Sequence, residues 1–187
     1  LILGGLIFAA HSIAGTPSSR PNILFIQVDD MDLAGMYAVR PDTGEPAFPN
    51  ILGIKDKGVD FENNFVSHAL CCPSRATVFT GQYDHNHSVI TNNPPLGGYT
   101  KLDHTNTLPV WLQNAGYQTI KLGKYMNGYS QAINQGMNPV PPGWDKFFTL
   151  FEPGKFFNFT IVSETGTMTP YSGTNFYQTD VLMRQAA

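Results

Sequence analysis

Residues 22–30 read NILFIQVDD, and this short stretch decides the fold class. Its first part, residues 22–28, is an apolar run that does not alternate between apolar and polar positions. A strand with one wet face alternates, whereas a parallel strand covered by helices on both faces does not. The run ends abruptly at Asp29 and Asp30. The stretch therefore predicts a buried parallel strand that is followed directly by two carboxylates.

The segments that follow alternate between helical and strand patterns. The predicted helices cover residues 49–57, 73–81 and 107–116, and the further predicted strands cover residues 59–66 and 117–125. Proline near a helix start and glycine at its end mark these boundaries. After residue 139, a Pro-, Gly- and aromatic-rich segment predicts long loops or a β excursion, and residues 179–187 begin another helix. Alternating strands and helices predict an α/β fold with a mostly parallel sheet.

Candidate site residues follow the predicted strands. Asp29, Asp30, Cys71 and Lys124 all come at or just after the carboxyl end of a strand, where ligands bind in α/β sheets. Adjacent carboxylates repel each other, and their oxygens are the ligands that Ca²⁺ and Mg²⁺ prefer. A solvated turn that caps the next segment is the alternative for the Asp pair. The pattern predicts one crevice, with a metal site as one reading of its acidic side.

The two cysteines of the chain, Cys71 and Cys72, are adjacent and cannot form an ordinary disulfide with each other. They precede Pro73, which suits the first turn of a helix, and Arg75. A helix N-terminus and a guanidinium both favour an anion, and the same field lowers the pKa of a thiol. The pattern therefore indicates a nucleophile at an anion site. A buried cysteine pair with a surface arginine is the alternative.

These motifs resemble a known family. Residues 71–75 with 80–81 match the C-x-P-S-R…T-G signature of the type I sulfatases, and residues 21–30, 49–51 and 116–125 resemble further segments of that family. The resemblance runs from residue 21 to the end of the chain. Several short motifs are most similar to the N-acetylglucosamine-6-sulfatase and extracellular heparan-6-sulfatase branch, namely residues 71–72, 83–87, 92–93, 124–129 and 142–144. The resemblance implies an alkaline-phosphatase-like α/β fold, with residues 21–187 as the N-terminal part of a catalytic domain.

The resemblance also implies residue roles. Cys71 corresponds to the cysteine that a formylglycine-generating enzyme converts to formylglycine, and Cys72 fills the variable position. Asp29, Asp30 and the converted Cys71 would hold Ca²⁺, Arg75 would orient the nucleophile, and Lys124 would contact it or the sulfate. The implied reaction is hydrolysis of sulfate monoesters of sulfated sugars or aryl sulfates.

The sequence departs from the family pattern in two respects. Many sulfatases have a histidine where this chain has Met126, which leaves a second base unidentified, and His85 or His87 in the loop after the motif helix are candidates for substrate binding in its place. Family members also continue well beyond the length of this chain. We therefore expect an incomplete domain that is poorly folded or inactive alone.

Charge and N-terminal composition address the compartment. A net charge of -3 and the absence of a Lys/Arg run disfavour nucleic acid and anionic membranes as partners. Residues 1–14 resemble the end of a secretory signal, and their apolar run is shorter than the about 20 residues that span a bilayer. Asn158 begins an Asn-Phe-Thr glycosylation acceptor. These features predict a secreted, extracellular or lysosomal protein.

Two alternatives to a sulfatase remain at this stage. A phosphatase or phosphodiesterase of the same superfold would place Ser or Thr at position 71 and bind two transition metals, and the cysteine with only two early Asp ligands argues against it. A catalytically inactive secreted binding module that retains the anion-site motif is the other alternative.

Overall fold

The computed structural model describes residues 20–186, so the predicted signal segment, residues 1–14, lies outside the described residues. The chain divides into two compact units, Leu1–Asp56 and Lys57–Ala187. In the described part of the first unit, helix α1 spans Leu33–Met36 and helix α2 spans Pro49–Lys55. Asp32 caps α1, since its carboxylate accepts from the backbone N–H of Gly35. The predicted helix over residues 49–57 is confirmed, and it ends two residues earlier than expected.

The strand predicted over residues 22–28 does not form. Within the described part of the chain these residues pair with no other strand, and Leu24 is 85% exposed. The strand predicted over residues 59–66 is also absent, and Phe65 is 85% exposed. A parallel strand is stable only when neighbouring strands satisfy its backbone and helices cover its faces. Within residues 20–186 neither segment has such a partner, so both predictions are wrong for this structure.

The second unit is an α/β arrangement of helices around one mixed sheet. Its helices are α3 (Cys71–Thr80), α4 (Asp84–His87), α5 (Leu108–Asn114), α6 (Tyr129–Asn134) and α7 (Gln178–Ala186), with a 3-10 turn at Tyr99–Lys101. Its strands are β1 (Ile120–Gly123), β2 (Lys146–Leu150), β3 (Phe159–Val162) and β4 (Met168–Tyr171). The α/β fold class is therefore confirmed, as are the predicted motif helix, the helix after Thr107 and the C-terminal helix.

The sheet has the strand order β1-β2-β3-β4. Strands β1 and β2 are parallel, with Ile120 opposite Lys146, and α6 lies between them in the chain. Strands β2, β3 and β4 are antiparallel neighbours. The sheet is therefore mixed rather than mostly parallel, because the segment after residue 139 forms the β excursion that its composition allowed. None of the described helices is both long and apolar enough to cross a bilayer.

A core of aromatic and small apolar side chains joins α3, α6 and the sheet. Phe147 of β2 is fully buried and its ring lies 5.7 Å from that of Tyr125 and 6.4 Å from that of Tyr129. Ala76 and Phe79 of α3 belong to the same buried cluster. The motif helix is thus packed against the polypeptide that follows β1, and this packing positions the candidate site.

Candidate active site

Helix α3 presents the two cysteines differently. The helix begins at Cys71, two residues before Pro73, because the extended backbone of Leu70 supplies the N-cap position. It ends at Gly81, whose φ of 65° is the left-handed conformation that glycine adopts without strain. Cys71 is partly exposed in the first turn, whereas Cys72 is completely buried, and both thiols are free. Cys71 is therefore the cysteine that a substrate or modifying enzyme can reach.

Cys72 fastens the start of α3 to two loops. Its backbone N–H donates to Asn92 Oδ1 at 2.8 Å, and its Sγ accepts from the backbone N–H of Asn127 at 3.2 Å. Burial raises the pKa of the Cys72 thiol, while the positive charges of Lys124 and Arg75 act in the opposite direction. A buried thiol with a raised pKa is chemically inert. Cys72 thus has a packing role, which fits the variable position of the motif.

Arg75 connects α3 to the end of β1. Its side chain is buried with 5% exposure, and Nη1 donates to the carbonyl oxygen of Lys124 at 2.9 Å. This hydrogen bond fixes the guanidinium beside the residue that the family resemblance places on the sulfate. Both cations are close enough to the cysteines to act on the Cys72 thiol. The structure therefore brings Cys71, Arg75 and Lys124 into one region of the second unit.

Lys121, which no sequence motif singled out, lies in the same region as Arg75 and Lys124. Its Nζ donates to the carbonyl oxygens of Leu122 at 2.6 Å, Gly123 at 3.3 Å and Lys124 at 2.9 Å. The Lys124 carbonyl thus accepts from both Lys121 and Arg75. Burial, together with the charge of Arg75, lowers the pKa of Lys121 to about 7. The alternating position of Lys121 in β1 gave no sign of this role, because strand patterning alone does not show which carbonyls a long side chain reaches.

The acidic pair lies in the other unit. Asp29 and Asp30 are exposed at a bend after residue 28, and Asp30 has a φ of 57°, in the left-handed region. Asp tolerates this conformation better than most residues because its short polar side chain can hydrogen-bond locally. Two adjacent carboxylates on an exposed bend offer oxygen ligands of the kind that Ca²⁺ prefers.

Both ring nitrogens of His87 have partners. Nδ1 accepts from the backbone N–H of Val89 at 3.1 Å, so the ring proton is on Nε2, which lies 3.2 Å from Thr77 Oγ1. Burial lowers the pKa of His87 and favours this neutral form. These contacts hold α4 against α3. His85 is exposed instead, and its ring stacks on that of Tyr83 at 5.8 Å.

A third histidine lies three residues before Cys71. His68 Nδ1 is 2.8 Å from Asp84 Oδ2, and this hydrogen bond holds the pKa of the Asp84 carboxyl below its ordinary range. Within residues 20–186, His68 Nε2 has no hydrogen-bond partner. A carboxylate on one ring nitrogen with the other nitrogen open is the arrangement that general acid–base catalysis uses. Spacing in the sequence does not show this arrangement of His68, because its partner Asp84 is 16 residues away.

Met126 is a core residue with 1% exposure. It belongs to the buried cluster with Tyr125 and Phe147, so the backbone after Lys124 directs this side chain into the interior. The position at which many sulfatases carry a histidine is thus used here for packing.

One cavity of about 360 Å³ in the second unit contains none of the predicted site residues. His104 lines it together with Tyr99 and Met137. Its ring nitrogens are 3.1 Å from the Tyr125 hydroxyl and 2.9 Å from the Tyr99 carbonyl oxygen, and burial lowers its pKa. His104 therefore stabilises the aromatic core.

The chain is similar in sequence to known proteins of one family. Residues 21–187 match the family model described as Sulfatase. The chain is 36% identical to the N-acetylglucosamine-6-sulfatase of Homo sapiens over 192 residues, which cover 97% of this chain and 33% of that protein. It is 36% identical to the putative extracellular sulfatase Sulf-1 homolog of Caenorhabditis elegans, over 78% of this chain and 19% of that protein.

An arylsulfatase of Volvox carteri is 35% identical over 96% of this chain and 27% of its own length. The chain therefore spans a third or less of the length of these three curated relatives. The family match covers nearly all of the described residues, including the motif helix, Arg75 and Lys124. On this match, the chain belongs to the sulfatase family.

Proposed function

We propose that the chain supplies the nucleophile side of a sulfuric ester hydrolase that uses formylglycine and Ca²⁺. The observation that carries the proposal is the first turn of α3. There Cys71 is accessible, Cys72 is buried, and Arg75 is fixed by its hydrogen bond to the Lys124 carbonyl. A structural cysteine pair would not require one thiol to stay partly exposed in the first turn of a helix that also carries a fixed arginine.

The catalytic group would arise from Cys71. A formylglycine-generating enzyme would convert its –CH2SH group to an aldehyde in the secretory pathway, with dioxygen as the oxidant, an external thiol as the reductant, and the cysteine sulfur released as sulfide. One hydroxyl of the hydrated aldehyde attacks the sulfur and displaces the alcohol, and the other expels sulfate as the aldehyde forms again. A thiol offers no comparable second step, which explains why the family modifies this residue.

Arg75 and Lys124 would stabilise the charge that develops on the sulfuryl oxygens. Fixed donors that face a developing negative charge contribute about 2.7 to 4 kcal/mol each. Arg75 is suited to this because its hydrogen bond to a backbone carbonyl limits the movement of its guanidinium. Asp29 and Asp30, with the oxygen of the modified residue 71, would hold Ca²⁺, although this ion takes 6 to 8 oxygen ligands and needs further ones.

The proton for the leaving alcohol would come from a histidine near the motif. The sequence offers His85 and His87 as candidates for substrate binding in place of the unidentified second base. Of these, His85 is the more accessible, since both nitrogens of His87 are engaged. His68 is a further candidate because its Nε2 is open and Asp84 holds its Nδ1. All three lie within 16 residues of Cys71 in the chain.

The substrate class would be sulfated sugars or aryl sulfates. The relatives carry the names N-acetylglucosamine-6-sulfatase, extracellular sulfatase and arylsulfatase, which together suggest this range. The name of the extracellular relative and the glycosylation acceptor at Asn158 support passage through the secretory pathway. A secreted or lysosomal location would also bring the chain to the enzyme that forms formylglycine.

Mass analysis of the tryptic peptide that contains Cys71 tests the proposal. The chain would be secreted from cultured eukaryotic cells, and conversion to formylglycine should lower the peptide mass relative to cysteine. Cys72→Ala is the matched control and should still be converted, whereas Cys71→Ala should not. An unmodified thiol at residue 71 in protein from cells that convert other sulfatases would favour the binding-module alternative.

A further inference from the structure

Three aromatic rings form a surface patch next to Asn158. Phe156 is 65% exposed, and Phe157 and Tyr177 are each 39% exposed. The Phe156 and Tyr177 rings stack with centroids 6.1 Å apart and an interplanar angle of 20°. The Phe157 ring lies 5.6 Å from that of Tyr177. A contiguous group of exposed rings is typical of a surface that binds a ligand or a partner.

This aromatic patch is held in place by the start of α7. The backbone N–H of Gln178 donates to the Phe156 carbonyl at 2.9 Å, and Gln178 Nε2 donates to the Lys155 carbonyl at 2.5 Å. Helix α7 is itself anchored, because Val181 and Leu182 are buried. The rings therefore sit on fixed backbone, so that a ligand binding there would not have to order a loop first.

Asn158 follows the two phenylalanines directly and begins the acceptor Asn158-Phe159-Thr160. It is exposed at a bend just before strand β3, and its φ of 54° lies in the left-handed region. Its Oδ1 accepts from the backbone N–H of Gly173 at 2.9 Å. Within the described residues Nδ2 has no hydrogen-bond partner. The amide is thus oriented by its oxygen, and its nitrogen stays available.

We propose that Asn158 carries an N-linked glycan whose first N-acetylglucosamine ring packs on the patch of Phe156, Phe157 and Tyr177. The glycosidic bond forms between sugar C1 and Nδ2, and Nδ2 loses one proton. The leaving group is the pyrophosphate of a lipid-linked oligosaccharide donor. Because only the nitrogen reacts, Oδ1 keeps its hydrogen bond from Gly173.

The chemistry of the patch suits a sugar. The face of a pyranose ring carries C–H groups that pack on the negative face of an aromatic ring and remove both apolar surfaces from water. The attachment atom belongs to the residue after Phe157, where the chain bends, so a linked sugar would be confined near the rings and would pack on them without a separate binding step. This role is independent of catalysis at residue 71.

Ring-current shifts provide the test. The full chain would be secreted from eukaryotic cells that make high-mannose glycans and trimmed with an endoglycosidase to a single N-acetylglucosamine. We expect intact mass to show the sugar on Asn158 and its ring protons to shift upfield in NMR spectra. Phe156→Ala and Phe157→Ala should each reduce the shift. The matched control is Phe176→Ala, because Phe176 is 38% exposed and its ring contacts Tyr171 rather than the patch.

Thermal unfolding gives a second readout. Trimmed glycoprotein should have a higher Tm than the Asn158→Gln variant, and this difference should shrink in the Phe156→Ala background but persist in the Phe176→Ala background. An unoccupied Asn158 in the secreted chain would overturn the proposal. So would sugar protons at the positions of a free glycan, or upfield shifts that survive both Phe156→Ala and Phe157→Ala.

Discussion

Replacing Lys121 with methionine should change how the stability of this chain depends on pH. Lys121 is a partly buried ammonium that donates to three backbone carbonyls. Its positive charge is repelled by the guanidinium of Arg75. Two of these oxygens keep another partner in the variant, since Gly123 accepts from Thr149 Oγ1 and Lys124 accepts from Arg75 Nη1. Methionine has a similar length and no charge, so the variant removes the buried charge and leaves little of the backbone unsatisfied.

The pKa of Lys121 sets the magnitude. A pKa lowered from 10.5 to about 7 corresponds to an upper limit of about 5 kcal/mol of destabilisation when the folded state has to carry the charge. This penalty is complete below pH 7. Between pH 7 and 10.5 the unfolded chain binds more protons than the folded one, so the free energy of unfolding rises with pH. From pH 6 to pH 9 the wild type should gain about 2.5 kcal/mol from this residue alone.

Urea unfolding at pH 6 and pH 9 measures the effect. Lys121→Met should be more stable than the wild type at pH 6, and this advantage should fall by about 2.5 kcal/mol at pH 9. Other titrating groups act equally in both proteins and cancel in the comparison. Lys101→Met is the matched control because Lys101 is exposed, and it should leave the pH dependence unchanged. Equal pH dependence in Lys121→Met and the wild type would refute the buried charge.

Three further outcomes follow from the second unit. Phe147→Ala should lower the free energy of unfolding by about 3 to 5 kcal/mol in urea titrations, because the ring is fully buried. In protein from a host that leaves the cysteines unconverted, iodoacetamide should label Cys71 well before Cys72, as followed by peptide mass. His87 should keep its proton on Nε2 in long-range ¹H–¹⁵N spectra and gain a second proton only below pH 6.5, where loss of the bond from Val89 should reduce stability.

Each of these three predictions would be contradicted by a specific result. A loss below 1 kcal/mol for Phe147→Ala would mean that the aromatic cluster is not packed as described. Equal labelling rates at the two cysteines would contradict the burial of Cys72. A proton on Nδ1 of His87 would be incompatible with the hydrogen bond from the backbone N–H of Val89.

The helices of the second unit could be predicted because their boundaries are local. Gly81 ends α3, and Thr107 and Pro109 mark the start of α5 as their residue types indicated. That residues 22–28 and 59–66 do not form strands could not be predicted, because an apolar run shows only that a segment favours burial. Whether a strand forms depends on partners elsewhere, and the described residues offer these segments none. Strand β1 forms because β2 pairs with it along its whole length.

Some residues of the candidate site could likewise be predicted from local sequence, and others could not. The placement of Cys71 and Arg75 within one turn of α3 could be predicted from the motif, because a helix start fixes their relative positions. Lys121 and His68 could not, since their roles depend on contacts that patterning does not encode. Lys121 donates to carbonyl oxygens at the end of its own strand, and His68 contacts a carboxylate 16 residues away. Residue type and spacing predict a nucleophile at residue 71, whereas the contacts that hold its neighbours are seen only in the packed structure.

Met126 and His68 occupy contrasting surroundings that suit their side chains. The side chain after Tyr125 lies in a closed aromatic core, where an imidazole would need hydrogen-bond partners and would be held neutral by burial. A methionine at this position fills the core without that requirement. The loop before α3 is partly exposed, and there the carboxylate of Asp84, a residue of α4, contacts His68 Nδ1, while Nε2 has no hydrogen-bond partner among the described residues. In the function proposed above, a proton donor in this loop would lie three residues before Cys71 and would require no imidazole in the aromatic core.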